Sequence, residues 1–145
     1  MDNLQNLLRV SKPIHVDVSR SLFLYERYFQ SIASSSSLFQ LLDIDPDAVV
    51  AKVRRIGEHI AKLIVRRSTE NPDPDWSFAA VTRKLYDQRI ISAKAKGYID
   101  TIRVLGNIAS HASDFGQVKF SREDALVVLQ ALLLFIQEAK EINLL

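Results

Sequence analysis

The run Asp100-Thr-Ile-Arg-Val-Leu-Gly-Asn-Ile-Ala-Ser-His-Ala-Ser-Asp114 places Arg103, Asn107 and His111 at four-residue intervals. On a helix that spacing lines them up along one face over two turns, with Asp100 and Asp114 continuing the strip at its ends. A guanidinium, an amide and an imidazole on one strip have the chemistry to hold or cleave a phosphodiester. The imidazole can move protons, and the guanidinium fork matches phosphoryl oxygens. The other side of the helix carries Ile99, Ile102, Leu105, Ile108, Ala109 and Ala112, a core pattern. Gly106 lies within the helix at a cost of roughly 1 kcal/mol relative to Ala. Such a residue predicts close approach by a neighbouring helix or a dimer contact.

A second group of cations lies upstream. Arg54, Arg55, Lys62, Arg66 and Arg67 make one helix basic on its outer side, and Arg83, Lys84 and Arg89 follow. These residues form either a phosphate-facing patch or an ordinary solvated face. Glu58, four residues after Arg54, is placed for an intrahelical ion pair worth only a few tenths of a kcal/mol when exposed. Other chemistries find little support. His15, His59 and His111 include no pair at one-turn spacing, and Glu58-His59 lacks the second histidine of a helical zinc site. Gly57, Gly97, Gly106 and Gly116 are isolated rather than gathered in a phosphate loop, and no serine elbow or cysteine nucleophile is present. No metal and no cofactor are expected.

These groups must be positioned by helices, because helical periodicity runs through almost the whole sequence. Val18, Leu22, Tyr25, Phe29 and Ile32 predict a helix over 17–33, after which Ser34-Ser-Ser-Ser37 is expected to end or fray it as a flexible connection. Asp45-Pro46 opens the next helix as cap and first residue, running to about Ser68 with Val49, Val53, Ile56, Ile60, Leu63 and Ile64 inward. Asn71-Pro-Asp-Pro-Asp75 cannot continue it. A shorter helix is predicted over 77–89 with Phe78, Val81, Leu85 and Trp76 supplying apolar surface, and the strip-bearing helix over 92–112. Asp114-Phe-Gly116 reads as its stop. Ser121-Arg-Glu-Asp124 caps a last helix that is apolar on most sides from Ala125 to Ile136. The expectation is an all-α, up-and-down bundle of about five helices forming a single domain over 1–145.

Composition agrees with a globular domain. The 145 residues are 48% hydrophobic and 25% charged, with four glycines and four prolines. Net charge is +2 and the isoelectric point about 9.0, which permits contact with nucleic acid without requiring it. The start, Met1-Asp-Asn-Leu-Gln-Asn6, lacks a basic region and apolar run, and the most apolar stretch is too short for a bilayer. With no cysteine in the chain, a reducing cytoplasm is the expected location and no membrane partner is expected.

Arg54-Arg-Ile-Gly-Glu-His59, Ile102-Arg-Val-Leu-Gly-Asn-Ile-Ala-Ser-His-Ala112 and Ser121-Arg-Glu-Asp-Ala125 together resemble an uncharacterised helical domain. That domain is found alone and beside the helicase-nuclease subunits of type I restriction enzymes. It is similar to the HEPN superfamily (higher eukaryotes and prokaryotes nucleotide-binding), and the resemblance covers about 46–140. It implies a four- or five-helix bundle, often dimeric, in phage-defence, toxin–antitoxin or RNA-processing systems. Active members are metal-independent ribonucleases whose motif is an arginine, usually a polar residue, and a histidine four to six residues after the arginine. Asn107 and His111 fall on the polar residue and the histidine, whereas Gly106 stands where the arginine is expected. Arg103 is one turn earlier, its Cα about 12 Å from that of His111 at 1.5 Å per residue.

Three readings follow. The first is a HEPN-like domain that binds RNA, other nucleic acid or nucleotide with little or no cleavage, in a defence or restriction system with a partner protein. Its residues are Arg54, Arg55, Arg103, Asn107 and His111, supported by Glu58, Asp100 and Gly106. The second is an active, homodimeric ribonuclease using Arg103 and His111. The third is a helical interaction module in which Arg103, Asn107 and His111 form a buried polar network that fixes helix register or a dimer seam.

Overall fold

In a computed structural model, residues 18–111 and 119–145 are described, and all their regular structure is helical. Six α-helices occur among them, one more than the periodicity predicts. α1 covers 18–25 and leads into a 3-10 turn at Glu26–Tyr28. α2 is Ser35–Ile44, α3 Pro46–Ser68, α4 Phe78–Asp87, α5 Ala93–Ser110 and α6 Arg122–Glu141.

The extra helix comes from the serine run, and the expected flexible connection is corrected here. Ser34 is the N-cap of α2, its hydroxyl accepting from the Ser37 N–H at 3.1 Å. Ser35 is buried and donates its hydroxyl to the Leu22 carbonyl at 2.7 Å, while its own N–H donates to Glu26 Oε1 at 2.7 Å. Serine is poor inside helices because it competes for backbone groups, and that competence makes it a good cap. The predicted helix over 17–33 stops early for the same tertiary reason. The chain tightens at Glu26, whose carbonyl takes the Phe29 N–H at 2.9 Å, and Phe29 becomes fully buried.

The other starts follow the sequence signals. Asp45 caps α3 through the Ala48 N–H with Pro46 at the first position. Ser77 and Ser92 cap α4 and α5. Ser121 and Asp124 exchange both bonds of a capping box at α6. α5 ends at Ser110 with His111 as its C-cap. Ala112, Asp114 and the predicted stop at Gly116 lie outside the described residues.

α3, α5 and α6 make the centre. Val49, Val53, Ile56, Ile60 and Ile64 of α3 are fully buried, as are Ile99 and Ile102 of α5 and Val128, Leu129, Leu132, Phe135 and Ile136 of α6. α5 runs antiparallel to both neighbours. Its first turn meets the end of α6, where the Ser92 hydroxyl bonds Glu138 and Lys94 lies 3.4 Å from the same carboxylate. Its last turns meet the first half of α3, where Arg54 bonds Asn107. α3 and α6 begin at the same end, tied by the Phe120 N–H donating to Asp47 Oδ1 at 2.7 Å. α1 joins α6 through Lys140 over Tyr25, and α2 is tied to it by Arg122 on Asp43 at 2.7 Å. No helix among the described residues is long and apolar enough to cross a membrane.

Candidate nucleic-acid interface

α3 and α5 approach each other through two glycines. A Cβ at Gly57 would sit 3.0 Å from Ile102 Cγ2 and 3.4 Å from Ile99 Cδ1. A Cβ at Gly106 would lie 2.3, 2.6 and 2.7 Å from Cβ, Cγ and Cδ of Arg54. The last three are closer than any side chain could tolerate, and the nearest is the rigid base of the arginine. Gly106 therefore makes room for Arg54, the tight helix packing that its position predicts.

Across that gap the Arg54 guanidinium reaches α5. Its Nε donates to Asn107 Oδ1 at 2.6 Å, and its Nη1 is 3.8 Å from Glu58 Oε2. The guanidinium carbon lies 5.7 Å from the centre of the Phe78 ring, within the range of a cation–π contact. The Arg54 side chain retains about a quarter of its exposure (24%), so it is neither sealed in the core nor fully in water. Glu58 also pairs with Lys62 at 3.4 Å, one turn further along α3.

Arg103 belongs to a different group. Its Nη2 is 3.4 Å from Asp100 Oδ1, and Lys96 Nζ is 2.5 Å from Asp100 Oδ2. Helical side chains lean toward the N-terminus, which carries Arg103 back to Asp100 and away from the His111 end. Arg103 Nε is buried with no hydrogen-bond partner among the described residues. His111 is exposed at the end of α5, and its backbone N–H closes the last turn on the Asn107 carbonyl at 3.0 Å. Arg55 is exposed on the outer side of α3.

The structure thus joins Arg54, Glu58, Gly106 and Asn107 in one unit and Arg103 with Asp100 in another, with His111 one turn beyond Asn107. Asp114, expected to extend the strip, lies outside the described residues. The arginine that meets Asn107 is 53 positions away from it. Helical spacing relates only residues of the same helix, so it could not single out Arg54. The empty volume of Gly106 was the available signal. Chemically, the unit offers guanidinium N–H donors and an amide beside a half-exposed surface. Among the described residues no three His, Asp or Glu side chains gather closely enough to hold a metal ion.

The family described as Domain of unknown function (DUF4145) matches residues 36–143, from the start of α2 to just past α6. The chain belongs to that family. No curated protein and no solved structure matches it.

Proposed function

We propose that this member of the DUF4145 family is a HEPN-like domain that binds RNA and cleaves it weakly or not at all. The observation that carries the reading is the Arg54 guanidinium lying across Gly106 onto Asn107. In the HEPN resemblance an arginine stands at the position of Gly106. Here a neighbouring helix delivers the same group to the same neighbourhood, beside the polar residue and one turn from the histidine. Arg55, Lys62 and Arg66 extend positive charge along α3 from that point. Phosphate is the ligand such donors suit best.

Weak cleavage follows from how the cations are engaged. Transition-state stabilisation needs donors aimed at oxygens where charge develops. Arg54 has its Nε committed to Asn107, and Arg103 is held by Asp100. Neither stands at position 106, where the resemblance expects the arginine. We place the domain in a defence or restriction setting, as a homodimer working with a partner protein, on the resemblance alone.

Gel retardation of single-stranded RNA and of DNA at several salt concentrations tests the proposal. We expect RNA retardation that weakens steeply with salt, and about ten-fold weaker binding for Arg54→Ala, the order expected when a charge-assisted contact is lost. Incubation in EDTA should leave the RNA largely intact for wild type and for His111→Ala alike. No retardation at low salt would overturn the proposal. The second reading, a helical interaction module, is favoured by one observation: the Arg54 Nε–Asn107 Oδ1 hydrogen bond joins α3 and α5 within a single subunit. That outcome would select it.

A further inference from the structure

Arg54, Glu58, Lys62 and Arg66 stand four apart on α3, a stripe that rises about 18 Å at 1.5 Å per residue. Its first residue is the one that reaches Asn107. Its last two line a cleft of about 110 Å³ at the other end of the helix. Pro72, Pro74, Trp76 and Val65 give that cleft apolar walls. Lys84 Nζ lies 5.7 Å from the centre of the Trp76 ring, and Lys62 and Arg66 line the cleft with that indole.

The cleft is preformed. Two prolines fix their own backbone angles, and the loop between them is braced by Asp73, whose Oδ1 accepts from the Asp75 N–H at 2.9 Å. The Asp73 carbonyl accepts from the Trp76 N–H at 3.3 Å, which fixes the indole's backbone relative to the loop. Trp76 is partly buried against the core rather than sealed in it. An indole, two prolines and a lysine and an arginine lining the same cleft suit a ligand with an apolar ring and attached negative charge. A nucleobase with its flanking phosphates is such a ligand. An acidic peptide supplies the charge but lacks the flat ring.

We propose that the Trp76 cleft seats one base of a single-stranded RNA whose backbone follows the α3 stripe from Lys62 and Arg66 toward Arg54 and Asn107. The inference rests on the nucleic-acid reading above and adds the strand's path and a base-stacking subsite. Asp73, which also lines the cleft, offers its carboxylate to an exocyclic amino group, a contact open to adenine, cytosine and guanine but not to uracil.

Trp76 is the chain's single tryptophan, so its emission reports on the cleft without labelling. The full chain is titrated with oligoadenylate, oligouridylate, inorganic polyphosphate and polyglutamate, with gel retardation in parallel. RNA should quench Trp76 saturably, oligoadenylate at lower concentration than oligouridylate, while polyphosphate binds without quenching. Trp76→Ala should weaken RNA binding about ten-fold. Arg66→Gln, an exposed change that leaves the fold alone, should weaken binding and lower the salt slope by about one. If RNA is retarded but Trp76 emission stays constant and Arg66→Gln binds as wild type, the cleft proposal is overturned and the nucleic-acid reading survives. If RNA is not retarded at all, both fall. Quenching by polyglutamate and not by RNA would assign the cleft to a protein partner and overturn the proposal.

Discussion

Arg54 serves two purposes, and both depend on a residue with no side chain. Its aliphatic stem lies against Gly106, and its Nε reaches Asn107 only because that stem can lie there. Gly106→Ala would ordinarily gain about 1 kcal/mol of helix propensity. Here the new methyl meets Arg54 Cβ, and separating α3 from α5 should cost about 1–3 kcal/mol net. Thermal melts should show a loss of several degrees, and the loss should shrink markedly when Gly106→Ala is made together with Arg54→Gly. A coupling near zero in that double-mutant cycle would mean the contact is unimportant. Asn107 separates stability from binding. Asn107→Ala leaves the half-buried Arg54 Nε without its acceptor, a loss of about 1–3 kcal/mol. Asn107→Asp keeps an acceptor and should unfold close to wild type in urea, yet bind RNA more weakly because it adds negative charge beside Arg54. Equal RNA affinity for Asn107→Asp and wild type would move phosphate recognition away from this point.

Among the helices, those announced by a cap were readable before any coordinates. Asp45-Pro46 opens α3, and Ser121 with Asp124 opens α6. α2 was missed because its cap sits in a run of serines, a composition that argues against helix everywhere except at the first position. What rescues it is tertiary: Leu22 and Glu26, from the preceding segment, satisfy Ser35. Ser34→Ala should therefore lower stability by about 1 kcal/mol, as N-cap losses do, whereas the exposed neighbour Ser36→Ala should change it little. Similar melting temperatures for the two variants would show that the cap contributes nothing. The candidate site was readable only in part. Arg103, Asn107 and His111 were found by spacing on one helix, but the pairing of Asn107 with Arg54 depends on how two distant segments pack. The Trp76 cleft was hidden for a related reason, since its walls come from the loop after α3 and from α3 itself.

The helices of the whole molecule share a single core, in which side chains from α1 through α6 are buried together. Ile102 of α5 is fully buried in that core and packs against Gly57 of α3. Ile102→Ala should cost about 2–5 kcal/mol, the range for truncating a fully buried aliphatic residue. Because α4 and its leading loop rest on the same core, Trp76 fluorescence and far-ultraviolet circular dichroism should report one coincident urea transition. An earlier transition at Trp76 would reveal the α4 region as a separately unfolding unit. The charge distribution is also a property of the whole. A net charge of +2 is modest, so attraction for a polyanion must come from the local arrangement along α3 rather than from the overall field.

The space that Arg54 takes beside Gly106 also constrains which residues the two positions can hold together. At this helix separation an arginine at 106 and a side chain at 54 would claim the same space. Across the family the two columns should exchange as a pair: where 106 is arginine, 54 should be glycine or the helices should stand further apart. Sister sequences sorted by these two positions should then fall into two groups that differ in how closely α3 approaches α5.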